Sequence, residues 1–214
     1  MKRSIFRWLF AISLLSELSV VAAENRVTDL RERAQKGDAD AQRSLGQNYA
    51  SGVGVRKDST EAVKWFRRAA EQGDALAQLD LGSAYAQGDG VAKNSSEAVN
   101  WYRKAAEQSN AIAQFLVGQA YTIGDGVTKD SAEAVKWYRK AAEQGFAFAQ
   151  SNLGDMYRTG DGVTRDSAEA AKWYRQAAEQ GIAKLPSRVT TPRSPVWAIC
   201  IAQATAFRRT APKQ

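Results

Sequence analysis

The stretch AIAQFLVGQAYTIGDGVTKDSAEAVKWYRKAAEQ, residues 111–144, decides the fold of this chain because near-copies of it recur every 36 residues. The landmark residues that recur in register are Trp65, Trp101, Trp137 and Trp173, together with Tyr49, Tyr85, Tyr121 and Tyr157. A unit of this size cannot bury its own apolar side and has to stack on its neighbours. The sequence therefore predicts four tandem repeats, which are 37–72, 73–108, 109–144 and 145–180.

Each repeat is predicted to be a pair of helices. In residues 74–85, the side chains that share one face of a helical wheel are Ala77, Gln78, Leu81, Gly82 and Tyr85. Glycines in residues 88–90 predict the end of that helix, since glycine adopts the left-handed conformation without a Cβ clash. The fold class predicted from this pattern is all-α, an array of four helix–loop–helix repeats.

A capping box is predicted to start each second helix. In the second repeat, the Asn94 side chain accepts a first-turn N–H while the Glu97 side chain reaches back to the Asn94 N–H. The same pairs recur as Asp58/Glu61, Asp130/Glu133 and Asp166/Glu169.

One glutamine lies on the inner face of each predicted first helix, and the four are Gln42, Gln78, Gln114 and Gln150. Their presence in every repeat favours a structural hydrogen bond to a neighbouring backbone group over ligand recognition. The Trp-Tyr and Trp-Phe pairs could stack on bases or sugars, but their helical spacing in every repeat favours a place in the core.

These motifs resemble the Sel1-like repeat, a relative of the tetratricopeptide repeat. The resemblance rests on Ala-x-Ala-Gln-x-x-Leu-Gly-x-x-Tyr, then Gly-x-Gly-Val, then Glu-Ala-Val-Lys-Trp-Tyr-Arg-Lys-Ala-Ala-Glu-Gln, and covers 144 of the 214 residues. It implies a right-handed superhelical solenoid of antiparallel helix pairs that acts as a protein-interaction scaffold. Some secreted members carry a disulfide in every repeat and are linked to β-lactam binding, but this chain lacks those cysteine pairs.

The charge of the chain is concentrated at its ends. The net charge is +7, yet residues 24–180 hold 21 basic and 22 acidic side chains. A nearly neutral repeat region argues against a basic face that follows nucleic acid. No nucleic-acid partner is therefore expected.

Residues 1–23 are predicted to be a secretory signal peptide. Basic residues precede an apolar stretch, and small residues stand before Glu24. The alternative is an uncleaved membrane anchor, which the charge of Glu17 disfavours. We expect export to a bacterial periplasm or beyond, with no stable membrane insertion after removal of the signal.

The segments that flank the repeats differ from them. Residues 24–36 are predicted to form an N-terminal capping helix, in which Leu30 and Ala34 cover the first repeat and Asp29 and Glu32 echo the capping pair. Residues 181–214 form an aberrant basic tail with six basic residues and no acid. Two explanations stay open for that tail: a divergent cap, or a shifted reading frame that truncated a fifth repeat.

The composition of the chain argues against catalysis and metal binding. Histidine is absent and Cys200 is the single cysteine, so the commonest general base and metal ligand is missing and no internal disulfide can form. The recurring Gly-Asp-Gly-Val lacks the Gly-Lys-Ser/Thr of a phosphate-binding loop, and Asp125 and Asp130 lack the alternating acids of a calcium loop. We expect no catalytic residue, no cofactor and no metal.

The candidate partner site follows from the positions that differ between repeats. On the first helices, the variable positions that are apolar in the middle of the array are Leu76, Leu79, Ile112, Phe115, Leu116 and Phe148. They are predicted to line a concave groove for an extended or helical peptide. The alternative is that several of them pack on the preceding repeat.

The sequence thus predicts an exported, non-catalytic scaffold that binds a protein or peptide. The alternatives are a secreted hydrolase or β-lactam-binding protein on the same scaffold, and a peptidoglycan-associated envelope factor without activity of its own.

Overall fold

The computed structural model describes residues 27–179, and its regular secondary structure over that range is helical throughout. Helix α1 covers residues 27–35. The first helices of the repeats are α2 (Ala39–Ser51), α4 (Ala75–Gln87), α6 (Ala111–Ile123) and α8 (Ala147–Thr159). The second helices are α3 (Ser59–Glu71), α5 (Ser95–Glu107), α7 (Ser131–Glu143) and α9 (Ser167–Glu179). The predicted signal peptide, 1–23, and the basic tail, 181–214, lie outside the described residues.

The chain divides within α5 into two compact units, the first ending at Trp101 and the second beginning at Tyr102. In the first unit, α2 packs on α3 and α3 packs on α4. In the second unit, α6 packs on α7, α7 on α8, and α8 on α9. Packing between consecutive helices is the nearest-neighbour arrangement that tandem helical hairpins require.

The second helices begin at the predicted N-cap residues. Oδ1 of Asp58 accepts the Glu61 N–H at 3.0 Å, and Oδ1 of Asn94 accepts the Glu97 N–H at 3.1 Å. Asp130 and Asp166 bond their helices in the same way, each at 3.0 Å. These bonds satisfy backbone donors that have no partner inside the helix.

The prediction that the glutamate of each capping box accepts the N-cap N–H is wrong. Each N-cap N–H donates to the carbonyl of a tyrosine nine residues earlier, over 2.9 Å, in the pairs Asp58–Tyr49, Asn94–Tyr85, Asp130–Tyr121 and Asp166–Tyr157. The N-cap N–H is thus already engaged in closing the loop and needs no glutamate. Glu61 accepts a hydrogen bond from Lys64 one turn later in its helix instead.

The loop within each repeat needs glycine for two reasons. At Gly90 the backbone has φ +72°, a left-handed conformation that side chains rarely adopt. A Cβ added there would also lie 2.1 Å from the carbonyl oxygen of Ser59, at the start of α3. The loop between α4 and α5 therefore rests directly on the preceding second helix.

The aromatic pairs lie in the core, as predicted, except that Tyr174 is half-buried. Trp65, Trp101, Trp137 and Trp173 are 6–9% exposed. Their neighbours Phe66 and Tyr138 pack on glycines of their own repeats, since a Cβ at Gly46 or Gly118 would come within 2.7 Å of the ring. Close contact between a ring and a bare glycine backbone holds the two helices of a repeat together.

The recurring glutamines form the predicted structural hydrogen bonds. Nε2 of each donates to an alanine carbonyl on the preceding helix at 3.0–3.1 Å, in the pairs Gln42–Ala34, Gln78–Ala70, Gln114–Ala106 and Gln150–Ala142. Gln72 and Gln144 also donate to the Oε1 atoms of Gln42 and Gln114 at 2.7 Å. Buried amides therefore fix the register between successive helices.

Helix α1 packs on the first repeat. Ala34 is 1% exposed and clusters with Ala41, Leu45 and Trp65, while Leu30 packs against the same cluster. Asp29 lies inside the helix and not at its start, so the expected echo of the capping pair is wrong.

Candidate partner-binding site

The outward surface of the first helices differs between the two units. We define this surface by four positions in each helix, the first followed by residues four, seven and eleven places later. In the first unit these positions are Asp40, Ser44, Gln47 and Ser51 on α2, and Leu76, Asp80, Ser83 and Gln87 on α4. In the second unit they are Ile112, Leu116, Gln119 and Ile123 on α6, and Phe148, Asn152, Asp155 and Thr159 on α8. Polar side chains thus prevail everywhere except on α6.

In the first unit, ionic and polar contacts join the outward surfaces of α2 and α4. The Arg43 guanidinium donates to Asp40 at 2.8 Å and to Asp74 at 3.2 Å, and Gln47 donates to Asp80 at 3.0 Å. Burial acts to lower the pKa of Arg43, but hydrogen bonds and charge from the two aspartates outweigh it and raise that pKa. Arg43 therefore stays charged and is held between two carboxylates.

In the second unit, three phenylalanine rings occupy the space between α6 and α8. Ring centroids lie 5.3 Å apart for Phe115 and Phe146, 5.8 Å for Phe146 and Phe148, and 6.3 Å for Phe115 and Phe148. The rings are tilted against one another, a favourable geometry for aromatic contacts. We call these three residues the phenylalanine cluster.

Phe146 occupies the N-cap position of α8 and makes no side-chain capping bond there. The first helices α2, α4 and α6 are capped at that position by Asp38, Asp74 and Asn110, whose side chains accept a backbone N–H three residues on. In the fourth repeat, aromatic packing thus replaces a helix cap, a device whose loss ordinarily costs about 1 kcal/mol.

Helix α6 carries an apolar line on its outward surface. Ile112 and Leu116 are half-buried, and the Ile123 side chain is 48% exposed. At 1.5 Å per residue, the line from Ile112 to Ile123 is about 16 Å long. We call Ile112, Leu116 and Ile123 the α6 stripe.

The six residues predicted to line the groove separate into two groups by burial. Leu76, Ile112 and Leu116 are half-buried and keep surface available for contact. Leu79, Phe115 and Phe148 are only 4%, 5% and 7% exposed. Leu79 and Phe115 therefore lie in the protein interior beneath the outward surface. Phe148 occupies an outward position on α8 but is buried, in contact with Phe115 and Phe146.

Sequence reasoning missed Ile123 and Phe146. Both could have been found by comparing repeats: Ile123 stands where the other first helices have Ser51, Gln87 and Thr159, and Phe146 stands where they have Asp or Asn. An isoleucine at an exposed helix end and a phenylalanine at a cap each break the local rule for that position.

The site offers apolar contact and fixed hydrogen-bonding groups. Behind it, burial raises the pKa of the Tyr138 phenol, which is therefore neutral at ordinary pH. Across residues 27–179, no three His, Cys, Asp or Glu side chains are grouped in a way that could hold a metal ion. In the same range no helix combines the length and the apolar character needed to cross a bilayer.

The four repeats match a known protein-family model. The family model described as the Sel1 repeat matches residues 39–74, 75–110, 111–146 and 147–182. Each match thus begins two residues after the predicted start of the repeat, at the first residue of a first helix.

Two solved structures are similar over most of the chain. One is a protective antigen present in uropathogenic Escherichia coli strains and displaying an SLR fold. It is 37% identical with a TM-score of 0.74, over 86% of this chain and 41% of that one. The other is a Sel1 repeat protein from Oxalobacter formigenes. It is 35% identical with a TM-score of 0.70, over 85% of this chain and 79% of that one. Together with the family matches, these structures confirm the predicted all-α repeat solenoid class.

A curated relative is the secretory immunoglobulin A-binding protein EsiB of Escherichia coli O6:H1. It is 47% identical over 60 residues, which are 28% of this chain and 11% of the relative. The match thus spans about a tenth of the relative's length.

Proposed function

Since the chain belongs to the Sel1 repeat family, whose repeats generally mediate protein–protein interaction, we propose that it is a non-catalytic scaffold that binds a protein or peptide partner. The observation that carries the proposal is the α6 stripe. Helix α6 buries one face in the repeat core through Ala113, Gln114, Val117 and Gly118. It still presents isoleucine and leucine on the outward face, where the stacking of repeats does not require them.

The polar side chains at the same positions elsewhere support a role in binding. Ser44 and Asp80 correspond to Leu116, and Gln87 corresponds to Ile123. Repeats that fold with serine, aspartate or glutamine at these positions show that packing does not dictate an apolar side chain there. Leu116 also packs against the core cluster of its unit, but a partly exposed apolar line at positions that other repeats fill with polar side chains is typical of an interaction surface.

The proposed contact is apolar in the centre and polar at its edge. Ile112, Leu116 and Ile123 would touch the partner, and the phenylalanine cluster would supply a rigid floor beneath them, since rings in mutual contact have little freedom to move. In the first unit, Leu76 would contact a partner in the same way, above the buried Leu79. A line of about 16 Å matches three turns of a helix, so an amphipathic helix or an extended peptide of similar length fits the surface.

The name of the curated relative supports a protein as the partner class, since that protein is described as binding secretory immunoglobulin A. Purified secretory immunoglobulin A is therefore a reasonable first probe. We also propose that residues 1–23 direct export, on the strength of their basic start, apolar core and small residues before Glu24. The partner would then be a protein of the periplasm or the exterior.

Capture from native envelope extracts tests the proposal, with crosslinking and mass spectrometry to identify the partner. The test variant carries Leu116→Asp and Ile123→Asp, and its control carries Ser44→Asp and Gln87→Asp, which put the same charges at corresponding positions of other first helices. Circular dichroism establishes that both variants keep the helical content of the parent. We expect the parent and the control to retain one partner that the test variant loses. Equal retention by all three proteins would contradict the proposal.

A further inference from the structure

The forward face of the last described helix, α9, carries an uncovered copy of the interface that joins successive repeats. On α3 this interface is made by Val63, Phe66 and Ala70, which are 7%, 6% and 2% exposed and cluster with Ala77 and Leu81 of α4. On α7 it is made by Val135, Tyr138 and Ala142, which are 5%, 2% and 2% exposed and cluster with Ala149 and Leu153 of α8. The interface is thus the same in both units.

The 36-residue register places Ala171, Tyr174 and Ala178 at these positions on α9. Ala171 and Ala178 are exposed, and Tyr174 is half-buried. The rear face of α9 is packed, since Ala170, Trp173 and Ala177 are 3%, 8% and 3% exposed. Helix α9 is therefore seated in its own repeat through this rear face and through Tyr174, whose hydroxyl donates to Asp155 at 2.6 Å. Ala171 and Ala178 on its forward face stay accessible.

The same interface includes one hydrogen bond in a fixed position. Gln78 of α4 donates to the Ala70 carbonyl of α3 at 3.1 Å, and Gln150 of α8 donates to the Ala142 carbonyl of α7 at 3.0 Å. The corresponding carbonyl on α9 is that of Ala178. A matching partner therefore needs small apolar side chains and one amide donor at a defined distance along a helix.

We propose that the forward face of α9 binds a first helix of the Sel1 type, with the pattern Ala-x-Ala-Gln-x-x-Leu-Gly, supplied by another polypeptide. The argument is continuity: this is the surface that α4 and α8 cover on the second helix of the preceding repeat, so the complementary shape is already defined. In the sequence of this chain the same register holds Leu185 and Pro186 where α8 has Ala149 and Gln150. Proline carries no amide side chain, so position 186 cannot supply the donor that Gln150 supplies at the corresponding position of α8. This end surface is separate from the α6 stripe and could recruit a second repeat protein.

A peptide-binding measurement on the full chain tests the inference. The probe is a fluorescein-labelled peptide of residues 38–52, stapled between positions 40 and 44 on its outward face because an isolated helix of this length is marginal in water. Its control is the same peptide with Gln42→Leu. Protein variants are Ala178→Glu on the forward face of α9 and Ala168→Asp, an exposed position at the start of the same helix.

We expect fluorescence anisotropy to show that the probe binds the parent and the Ala168→Asp variant with equal affinity. Replacing Gln42 in the probe, or Ala178 in the protein, should weaken binding by about tenfold or more, because a buried carbonyl loses its donor or a charge enters the interface. No binding by the parent, or equal binding by the Ala178→Glu variant, would overturn the inference. Sedimentation velocity of the full chain adds a second check: a dimer that Ala178→Glu disperses would assign the face to a second copy of this chain and would also overturn it.

Discussion

Phe115 and Phe146, whose ring centroids lie 5.3 Å apart, make in the second unit the contact that an ion pair makes in the first. The two residues are 31 positions apart in the sequence, as are Arg43 and Asp74, which are joined at 3.2 Å. Both pairs link a first helix to the N-cap of the next first helix in the same unit. One repeat geometry therefore holds either an ionic or an aromatic contact, and this choice sets the character of the outward surface.

Exchanging the aromatic contact for the ionic one should show strong coupling. Phe115→Arg puts a charge into the buried phenylalanine cluster, and we expect it to lower the free energy of unfolding by about 2–4 kcal/mol. Phe146→Asp loses the ring contacts but restores the N-cap found on the other first helices, so its cost should be smaller, about 1–3 kcal/mol. The double variant restores the pair found at Arg43 and Asp74 and should recover about 1–2 kcal/mol relative to the sum of the singles. Urea unfolding of all four proteins measures the coupling, and strictly additive losses would show that the two positions do not interact.

The buried glutamine of the third repeat should be needed for stability. Gln114→Leu leaves the Ala106 carbonyl and the Gln144 amide without their partner, and we expect it to lower the free energy of unfolding by about 1–3 kcal/mol. The control is Gln119→Leu on the outward surface of the same helix, where we expect a change within about 0.5 kcal/mol. Similar losses for the two variants in urea unfolding would mean that the glutamine hydrogen bonds do not fix the register.

Substitutions at two glycines distinguish the cost of a left-handed backbone conformation from the cost of a steric clash. Gly37 has φ +98° with no atom within 4 Å of an added Cβ, so Gly37→Ala should cost only the left-handed conformation, about 1–2 kcal/mol. Gly90→Ala meets the same conformational penalty and also the Ser59 carbonyl, and should cost about 1–3 kcal/mol more. Thermal melts of the two variants compare them directly. A Gly37 variant at least as unstable as the Gly90 variant would show that the loop does not rest on α3.

Asp38 should make stability depend on pH in the acid range. A hydrogen bond from the Ala41 N–H and one from Arg33 hold the pKa of Asp38 below its ordinary value of 3.8. Its ionised form therefore stabilises the fold fully above about pH 4, and this contribution is lost as the pH falls through the lowered pKa. Asp38→Asn keeps an acceptor for Ala41 but not the charge. The difference in melting temperature between the parent and this variant should be largest near pH 6 and shrink toward pH 2, whereas a constant difference would contradict the assignment.

The helices could be predicted from the sequence because the same pattern of apolar residues recurs in every 36-residue repeat. Spacing alone places Ala77, Gln78, Leu81, Gly82 and Tyr85 on one face. The first four are buried and Tyr85 is half-buried. The buried glutamines were predicted for the same reason, since a polar side chain on the inner face of every repeat needs a partner in the structure. The N-cap bond of Asn94 followed from residue type at a helix start.

The features that could not be predicted from the sequence are those that depend on tertiary contacts. Glu97 was expected to bond the Asn94 N–H, but the Tyr85 carbonyl accepts that N–H, and no local motif reveals a bond that closes a loop nine residues long. For the groove, helical spacing alone could not separate Leu116, which is half-buried, from Phe115, which is 5% exposed. Burial of Phe115 depends on Phe146 and Phe148 in the following repeat, a contact between distant parts of the sequence.

Photo-crosslinking at the α6 stripe tests the central claim most directly. Benzoylphenylalanine at position 116 reports a partner in contact with α6, and the same residue at position 136, exposed on α7, is the control. In native envelope extracts, position 116 should give one predominant adduct to a partner protein, and position 136 should give none to that protein. Equal adducts at the two positions, or none at position 116 while the partner is still captured, would contradict the account.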